Sequence, residues 1–108
     1  MDEKMRSELV DGLCNILKDD IRQIILYGSV ARKEDTSESD IDIAVVIEGV
    51  LTAENRKRLL SLAVDLDLRY ERVFSIIDIE QENLEKWGKI LPFYKNVQKE
   101  GIVLWKTA

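Results

Sequence analysis

Apolar residues recur every three or four positions in two long stretches of the chain. The first stretch is residues 3–18, and the second runs from Ala53 to about Arg69, with Thr52 before it as a candidate N-cap. This spacing is typical of amphipathic helices, so each stretch predicts a helix with one buried face. The two buried faces would be formed by Met5, Leu9, Leu13, Ile16 and Leu17, and by Leu59, Leu62, Ala63 and Leu66.

Three shorter segments are rich in β-branched residues and are bounded by polar or turn-forming residues. They are Ile21–Tyr27, Asp40–Ile47 and Val73–Ile79. The middle segment alternates polar and apolar residues at first and then becomes wholly apolar, which makes it the clearest strand in the sequence. Each of the three segments predicts a strand.

A short polar region separates the first two predicted strands. Gly28 and Ser29 turn the chain into a short helical piece over Val30–Lys33. The segment Glu34–Ser39 follows, and because it contains no apolar residue it predicts a loop.

The C-terminal part predicts smaller elements. We expect a short helix over Glu82–Lys89, an interruption at Pro92, one or two helical turns over Phe93–Glu100 and a short last strand over Ile102–Trp105. The order is therefore α-β-α-β-α-β-α followed by that strand. It predicts one domain over residues 1–108, of α/β (α+β) class, with a small mixed sheet of three to four strands packed by helices.

Charge and composition argue against several classes of protein, namely duplex-binding, membrane-spanning and secreted proteins. The chain has 108 residues and a net charge of −5, and a chain without a long basic cluster is not expected to bind duplex nucleic acid directly. Its apolar runs are far shorter than the roughly 20 residues of a membrane span, and its start lacks the pattern of a secretion signal. With Cys14 as the single cysteine, these features predict a cytoplasmic protein without an internal disulfide.

The chain contains no histidine. That excludes Ser-His-Asp and Cys-His nucleophiles, an imidazole general base and a His-ligated zinc site. A bound metal would have to be held by oxygen atoms, which favours magnesium, manganese or calcium.

Two aspartates at the start of the middle strand are the first candidate for chemistry. Asp40 and Asp42 project to one face of the strand, ~6.5 Å apart along the chain, and their like charges repel each other. A divalent cation shared between them would remove this repulsion. The alternative is a solvated strand start that is simply rich in acidic residues.

Gly28 and Ser29 add a second, independent signal. They follow a strand and open a short helix, where a glycine allows a ligand to approach the backbone and free N–H groups suit a phosphate. If the strand that ends before Gly28 and the strand that begins at Asp40 are neighbours, the phosphate site and the metal site lie next to each other. That arrangement favours metal-assisted nucleotide chemistry.

At this point the residues resemble a known family. Gly28-Ser29, Ala31-Arg32 and Ser39-Asp40-Ile41-Asp42 match the GSxARG…SDxDL signature of the DNA polymerase β-like nucleotidyltransferases. The short length and the order of elements look like the minimal nucleotidyltransferase (MNT) branch of that superfamily. The order of helices and strands agrees over nearly the whole chain.

The resemblance implies transfer of a nucleoside monophosphate, AMP from ATP being the expected case, to a hydroxyl with release of pyrophosphate. It implies that Gly28 and Ser29 bind the triphosphate and that Ser39 caps the loop or orients Asp40. Arg32 would contact phosphate, with an ordinary surface residue of the short helix as the alternative. Asp40 and Asp42 would be the catalytic residues that hold Mg²⁺.

The resemblance also implies a partner. Many short members of this branch are antitoxins of HEPN-domain ribonuclease toxins, and some add adenylyl groups to a tyrosine of the toxin. We therefore expect a HEPN-domain protein as acceptor, in a homo- or hetero-oligomer. Two alternatives stay open: a binding module that neutralises the partner by occlusion, and a subunit that modifies a small molecule such as an aminoglycoside.

The sequence departs from the family pattern in two places. Lys33 stands where the family usually has Gly. The third carboxylate of the family lies on a later strand, and aligning Phe74–Ile79 on that pattern puts Ser75 at the catalytic position. Asp78 is the other candidate for this catalytic role, but residues three apart in a strand project to opposite faces, so only one of the two can face the metal.

Aromatic residues gather near the C-terminus. In a small domain such residues usually belong to the core, whereas exposed ones would suit an interface with a partner. The residues concerned are Trp87, Phe93, Tyr94 and Trp105.

Overall fold

The computed structural model describes residues 1–34, 36 and 39–107. The elements are α1 (Glu3–Leu17), β1 (Ile21–Tyr27), α2 (Gly28–Ala31), β2 (Ile41–Ile47), α3 (Ala53–Tyr70), β3 (Phe74–Glu80), α4 (Gln81–Trp87), α5 (Pro92–Glu100) and β4 (Ile102–Lys106). This order confirms the predicted α/β class and the predicted alternation of helices and strands as far as β3. Two helices, α4 and α5, instead of one in the predicted order, then precede the last strand. Of the loop predicted over residues 34–39, positions 35, 37 and 38 lie outside the described residues.

The four strands form one mixed sheet in the order β3-β2-β1-β4. β1 pairs antiparallel with both β2 and β4, whereas β2 and β3 are parallel. The parallel pair requires a long connection from one end of the sheet to the other, and α3 provides it. The last strand, predicted only as a short one, is present as an edge strand.

Helices cover both faces of the sheet. α1 and α3 pack on one face, where Ile43 and Val45 of β2 are fully buried. α4 and α5 pack on the other face, where Ala44 and Val46 meet Leu84 and Val97. Since successive strand residues point to opposite faces, this two-sided cover explains why β2 reads as a continuous apolar run.

Local signals explain where the helices begin. Thr52 Oγ1 accepts a hydrogen bond from the amide of Asn55 at 3.1 Å, so Thr52 is the N-cap of α3 as predicted. Pro92 does not interrupt the chain; it occupies the first position of α5, where its missing N–H and fixed φ fit a helix start. Within the described residues, no helix combines the length and the apolar character that a membrane crossing requires.

Candidate active site

Three side chains form a row across one end of the sheet. Tyr27 of β1 is the register partner of Asp42 in β2, and Asp42 is the register partner of Ser75 in β3. Partners in register point to the same face, and this is the face that α4 and α5 cover. The row therefore brings one residue from each of three strands together.

Gly28 packs directly against Asp42. Its φ is 74°, a left-handed conformation that favours glycine, and a Cβ at this position would overlap Oδ2 of Asp42. No side chain among the described residues caps the start of α2, which begins at Gly28. The structure thus brings the Gly28-Ser29 turn and the Asp42 carboxylate together, because β1 and β2 are neighbours.

The two aspartates influence each other. Asp42 is half-buried and Asp40 is exposed, just before β2 begins. Burial raises the pKa of the Asp42 carboxyl above its ordinary value and the negative charge of Asp40 raises it further, while the Arg32 guanidinium opposes the shift. An environment of this kind favours a cation beside the pair.

Arg32 lies near the carboxylates but has other partners. Its Nε is 3.1 Å from Glu34 Oε2, and its Nη1 is 3.5 Å from Glu100 Oε2 at the end of α5. To contact a phosphate, the guanidinium would have to release Glu34 or Glu100 and bind the phosphate oxygens instead. The exposed ion pairs are weak enough for this exchange, and a guanidinium forms strong hydrogen bonds with phosphate.

Ser39 caps the loop before Asp40. Its Oγ accepts a hydrogen bond from the amide of Thr36 at 2.9 Å, and its carbonyl accepts one from Arg72 Nη2, also at 2.9 Å. The next strand adds a backbone bond at 2.8 Å from the amide of Ile41 to the carbonyl of Val73. These contacts fasten the start of β2, and with it the backbone of Asp40, to the segment that leads into β3.

The sequence profile of the family described as "Polymerase beta, Nucleotidyltransferase" matches residues 13–108. This match covers most of the chain and includes the Gly28-Ser29 turn and both aspartates. The chain belongs to this nucleotidyltransferase family.

Two proteins of Methanocaldococcus jannaschii are similar to this nucleotidyltransferase. One, named "Putative protein adenylyltransferase MJ0604", is 36% identical over 104 residues, which are 96% of this chain and 98% of that protein. The other, named "Putative protein adenylyltransferase MJ0141", is 30% identical over 70 residues, which are 65% of this chain and 71% of that protein.

Solved structures share its fold. A structure described as a "putative minimal nucleotidyltransferase" has a TM-score of 0.60 at 25% identity and covers 94% of this chain and 95% of that chain. A toxin–antitoxin crystallised with AMP-PNP has a TM-score of 0.64 at 22% identity, covering 94% and 73%. The tri-AMPylated HEPN toxin of Shewanella oneidensis in complex with MNT antitoxin has a TM-score of 0.63 at 21% identity, covering 99% and 74%.

Lys33, the first departure of this nucleotidyltransferase from the family pattern, keeps a backbone suited to glycine. Its φ is 60°, in the left-handed region. Lys33 thus adopts a left-handed backbone, which carries a steric cost for a residue with a Cβ. Glycine, the residue of the family pattern, would adopt the same conformation without that cost.

Asp78, a candidate for the third carboxylate, does not join Asp42. The register partner of Asp78 is Val45, which faces α1 and α3, and Asp78 Oδ1 lies 3.6 Å from Arg56 Nη1 of α3. The position beside Asp42 belongs to Ser75, the other candidate. The physical reason is strand parity, since residues three apart face opposite sides of the sheet.

The described residues offer only the aspartate pair as metal ligands at this site. Across residues 1–34, 36 and 39–107, no group of three or more acidic or cysteine side chains is placed to hold a metal ion. Asp40 and Asp42 supply carboxylate oxygens, which are the donors that magnesium prefers. The pair therefore suits Mg²⁺, whose remaining ligands would be water and phosphate oxygens.

Exposed apolar residues lie beside the site. Phe93 of α5 packs edge-to-face on Tyr27, with ring centroids 5.7 Å apart, and is itself 45% exposed. Burial raises the pKa of the Tyr27 hydroxyl, and the nearby charge of Asp42 raises it further. We call the exposed residues of α4, α5 and the turn between them the α4–α5 surface; they are Trp87, Ile90, Leu91 and Phe93.

Sequence reasoning missed two residues of this region. Tyr27 precedes the Gly28-Ser29 motif and could have been found only from the pairing of β1 with β2. Arg72 lies outside every motif, and no sequence signal marks it; its role follows from its hydrogen bond to Ser39.

Proposed function

We propose that this nucleotidyltransferase transfers AMP from ATP, in the presence of Mg²⁺, to a hydroxyl of a partner protein. The observation that carries the proposal is the contact between Gly28 and the Asp42 carboxylate. It joins a turn suited to phosphate and an aspartate suited to metal at one point, and a metal-bound nucleoside triphosphate needs both.

Asp40 and Asp42 would hold the metal in this proposal. Mg²⁺, when bound, neutralises the charge of the phosphates and polarises the phosphoryl group that is transferred. Gly28 gives the phosphates access to the backbone, and the Ser29 hydroxyl and the amides at the start of α2 would bind phosphate oxygens.

The transfer conserves atoms and charge in a single displacement. The oxygen of the acceptor hydroxyl forms a bond to the α-phosphorus, and pyrophosphate leaves with the electron pair of the bond that breaks. The hydroxyl proton passes to water or to a base of the acceptor, because Ser75 occupies the position beside Asp42 where a third carboxylate would lie.

A protein acceptor is supported by the surface next to the site. The α4–α5 surface exposes aromatic and aliphatic side chains, and such residues are enriched where proteins bind one another. Its Phe93 contacts Tyr27, whose register partner is Asp42, so a protein bound there would lie close to the transferred group.

A HEPN-domain toxin is the acceptor that the comparisons support best. The 36% identical relative is named a protein adenylyltransferase, and two solved structures with this fold are toxin–antitoxin complexes, one of them with a tri-AMPylated HEPN toxin. We infer an antitoxin role for this chain on that basis.

Calorimetric titration of ATP into the purified chain tests the nucleotide site. We expect binding with Mg²⁺ that is lost with EDTA and in Asp42→Asn, which removes one of the two ligand charges. Asp78→Asn is the matched control and should bind ATP like the wild type, since Asp78 faces α3. Equal binding in Asp42→Asn and wild type would contradict the proposed site.

Transfer to a HEPN-domain protein tests the acceptor. Ile90 is 65% exposed in the α4–α5 surface, so Ile90→Ser should reduce adenylylation of the acceptor while ATP binding stays unchanged. Val50→Ser changes a valine that is 76% exposed near the other end of β2 and serves as control. Loss of transfer in both variants would argue against a specific docking role for the α4–α5 surface.

Ser75 favours a second candidate function, a transferase too impaired for turnover that neutralises its partner by occlusion. With a hydroxyl in register with Asp42, the site lacks the base or second-metal ligand of a full carboxylate set. Neutralisation of the toxin by Asp42→Asn at the wild-type level would support occlusion, and loss of neutralisation would support chemistry.

A further inference from the structure

The outer face of α3 exposes a line of large apolar side chains. Leu60, Val64 and Leu68 are 63%, 53% and 76% exposed. Residues four apart lie one turn above each other on a helix, so these three form a continuous stripe. Lone exposed apolar residues are ordinary, but an aligned set on one helix indicates a surface that another molecule covers.

Two opposite charges mark the ends of this stripe at equal distances. Lys57 lies seven residues before Val64, on the same face of α3. Glu71 lies seven residues after Val64, at the C-cap, where a φ of 53° turns the backbone out of the helix at the end of the stripe. Both are exposed, and the ion pairs formed by the described residues include neither of them.

The other basic residues of α3 already have partners within the chain. Arg56 pairs with Asp78, Arg58 with Glu54 and Arg69 with Glu8. Lys57 is thus the basic residue of α3 that forms no ion pair among the described residues, and Glu71 at the C-cap is the acidic residue in the same position. We call the five residues 57, 60, 64, 68 and 71 the α3 stripe.

The α3 stripe is complementary to itself. A two-fold axis through Val64 places a second α3 antiparallel to the first, so that Val64 meets its own copy and Leu60 meets Leu68. The same axis places Lys57 opposite Glu71 twice, once on each side. In an isologous contact each residue before Val64 meets a residue at the same distance after it, so the leucines and the charges must be equally spaced about Val64. Binding to a different protein would not require this equal spacing.

We propose that two copies of this chain associate through the α3 stripe in an antiparallel helix pair. Facing helices approach to roughly 8–10 Å, at which leucine and valine side chains interdigitate and the flanking charges pair at the rim. The stripe lies on the face of the sheet opposite to Asp42 and the α4–α5 surface. The dimer therefore leaves both active sites open.

Charge exchange tests this geometry by sedimentation equilibrium over the micromolar range. We expect the wild type to approach twice its monomer mass of 12.5 kDa. Lys57→Glu and Glu71→Lys each replace two attractive pairs by two repulsive ones, so each should weaken the dimer by about tenfold. The double variant K57E/E71K restores attraction and should recover the wild-type affinity.

Two further variants separate the stripe from general effects of charge. Lys89→Glu makes the same charge change as Lys57→Glu on an exposed residue beyond α4, and should leave the dimer intact. Val64→Asp puts two carboxylates at the axis and should give a monomer that binds ATP like the wild type, because α3 covers the face of the sheet opposite to Asp42. Its Tm should match that of the wild type only at concentrations at which the wild type is also monomeric.

The outcomes decide the proposal either way. A monomeric wild type over this range, or a dimer that Val64→Asp and Lys57→Glu leave intact, overturns it. A K57E/E71K variant that is weaker than both single variants overturns the antiparallel pairing. A stripe that proves necessary only for binding a HEPN-domain protein would also overturn self-association.

Discussion

At the scale of single residues, Ser75 decides whether the candidate active site has a third carboxylate. Ser75 is the register partner of Asp42, so a carboxylate at this position would stand beside the aspartate pair. We expect Ser75→Asp to raise the rate of AMP transfer by on the order of tenfold or more, since a positioned base contributes to proton transfer. A radiolabelled adenylylation assay measures this.

The matched control for Ser75→Asp is Asp78→Asn. Asp78 pairs with Arg56 on the other side of β3, so its removal should leave the transfer rate within about twofold, the range of an exposed ion pair. If Asp78→Asn abolishes transfer and Ser75→Asp has no effect, the register assigned to the site is wrong.

Lys33 offers a test of backbone strain at the same scale. Its φ of 60° destabilises the folded state by about 1 kcal/mol for a residue with a Cβ, and glycine avoids this destabilisation. After the entropy that glycine loses on folding, Lys33→Gly should stabilise the protein by about 0.5 kcal/mol and raise the Tm by a few degrees. Lys33→Ala keeps the Cβ and should bring no gain; a lower Tm in Lys33→Gly would contradict the assignment.

At the scale of elements, an ion pair between α1 and α3 makes their packing depend on pH. Glu8 Oε2 lies 2.6 Å from Arg69 Nη1. The Tyr70 hydroxyl and the Arg69 guanidinium lower the pKa of Glu8 below its ordinary value of 4.5. The buried Tyr70 hydroxyl has no hydrogen-bond partner among the described residues, so the ion pair between Glu8 and Arg69 is the direct polar contact between α1 and α3 here.

The sign of the pH effect follows from the lowered pKa. A carboxylate that ionises more readily in the folded chain stabilises it above pH 4.5, and this contribution is lost as the pH falls through the folded-state pKa, which lies lower still. We expect Glu8→Gln to be less stable than wild type at pH 7, with the difference vanishing at acidic pH. Urea unfolding at several pH values measures it; a difference that grows on acidification would refute the assignment.

The helices and strands also show which elements can be predicted from sequence patterns and which cannot. The period of apolar residues located α1 and α3, and β-branched runs located β1, β2 and β3, because both signals come from burial of one or two faces. Pro92 begins α5 and does not interrupt the chain as predicted, since a proline suits the first turn of a helix as well as a break. The edge strand β4 carries few buried residues, so its pattern was correspondingly short.

At the scale of the whole molecule, the sheet separates two kinds of surface. The face that α4 and α5 cover carries Asp42 and the α4–α5 surface, whereas the face that α1 and α3 cover carries the α3 stripe. The proposed acceptor of AMP and the proposed second copy of the chain would therefore bind to different surfaces, so that one would not exclude the other.

The fold class, the family and the residues of the motif can be recognised from the order of amino acids alone. These depend on local spacing: glycine and serine after a strand, and two aspartates at alternate positions of the next. The folded chain was needed to show that Gly28 packs on Asp42, that Ser75 rather than Asp78 lies beside it, and that Tyr27 and Phe93 flank the site. Those facts depend on strand order and register, which bring together residues that are distant in the chain.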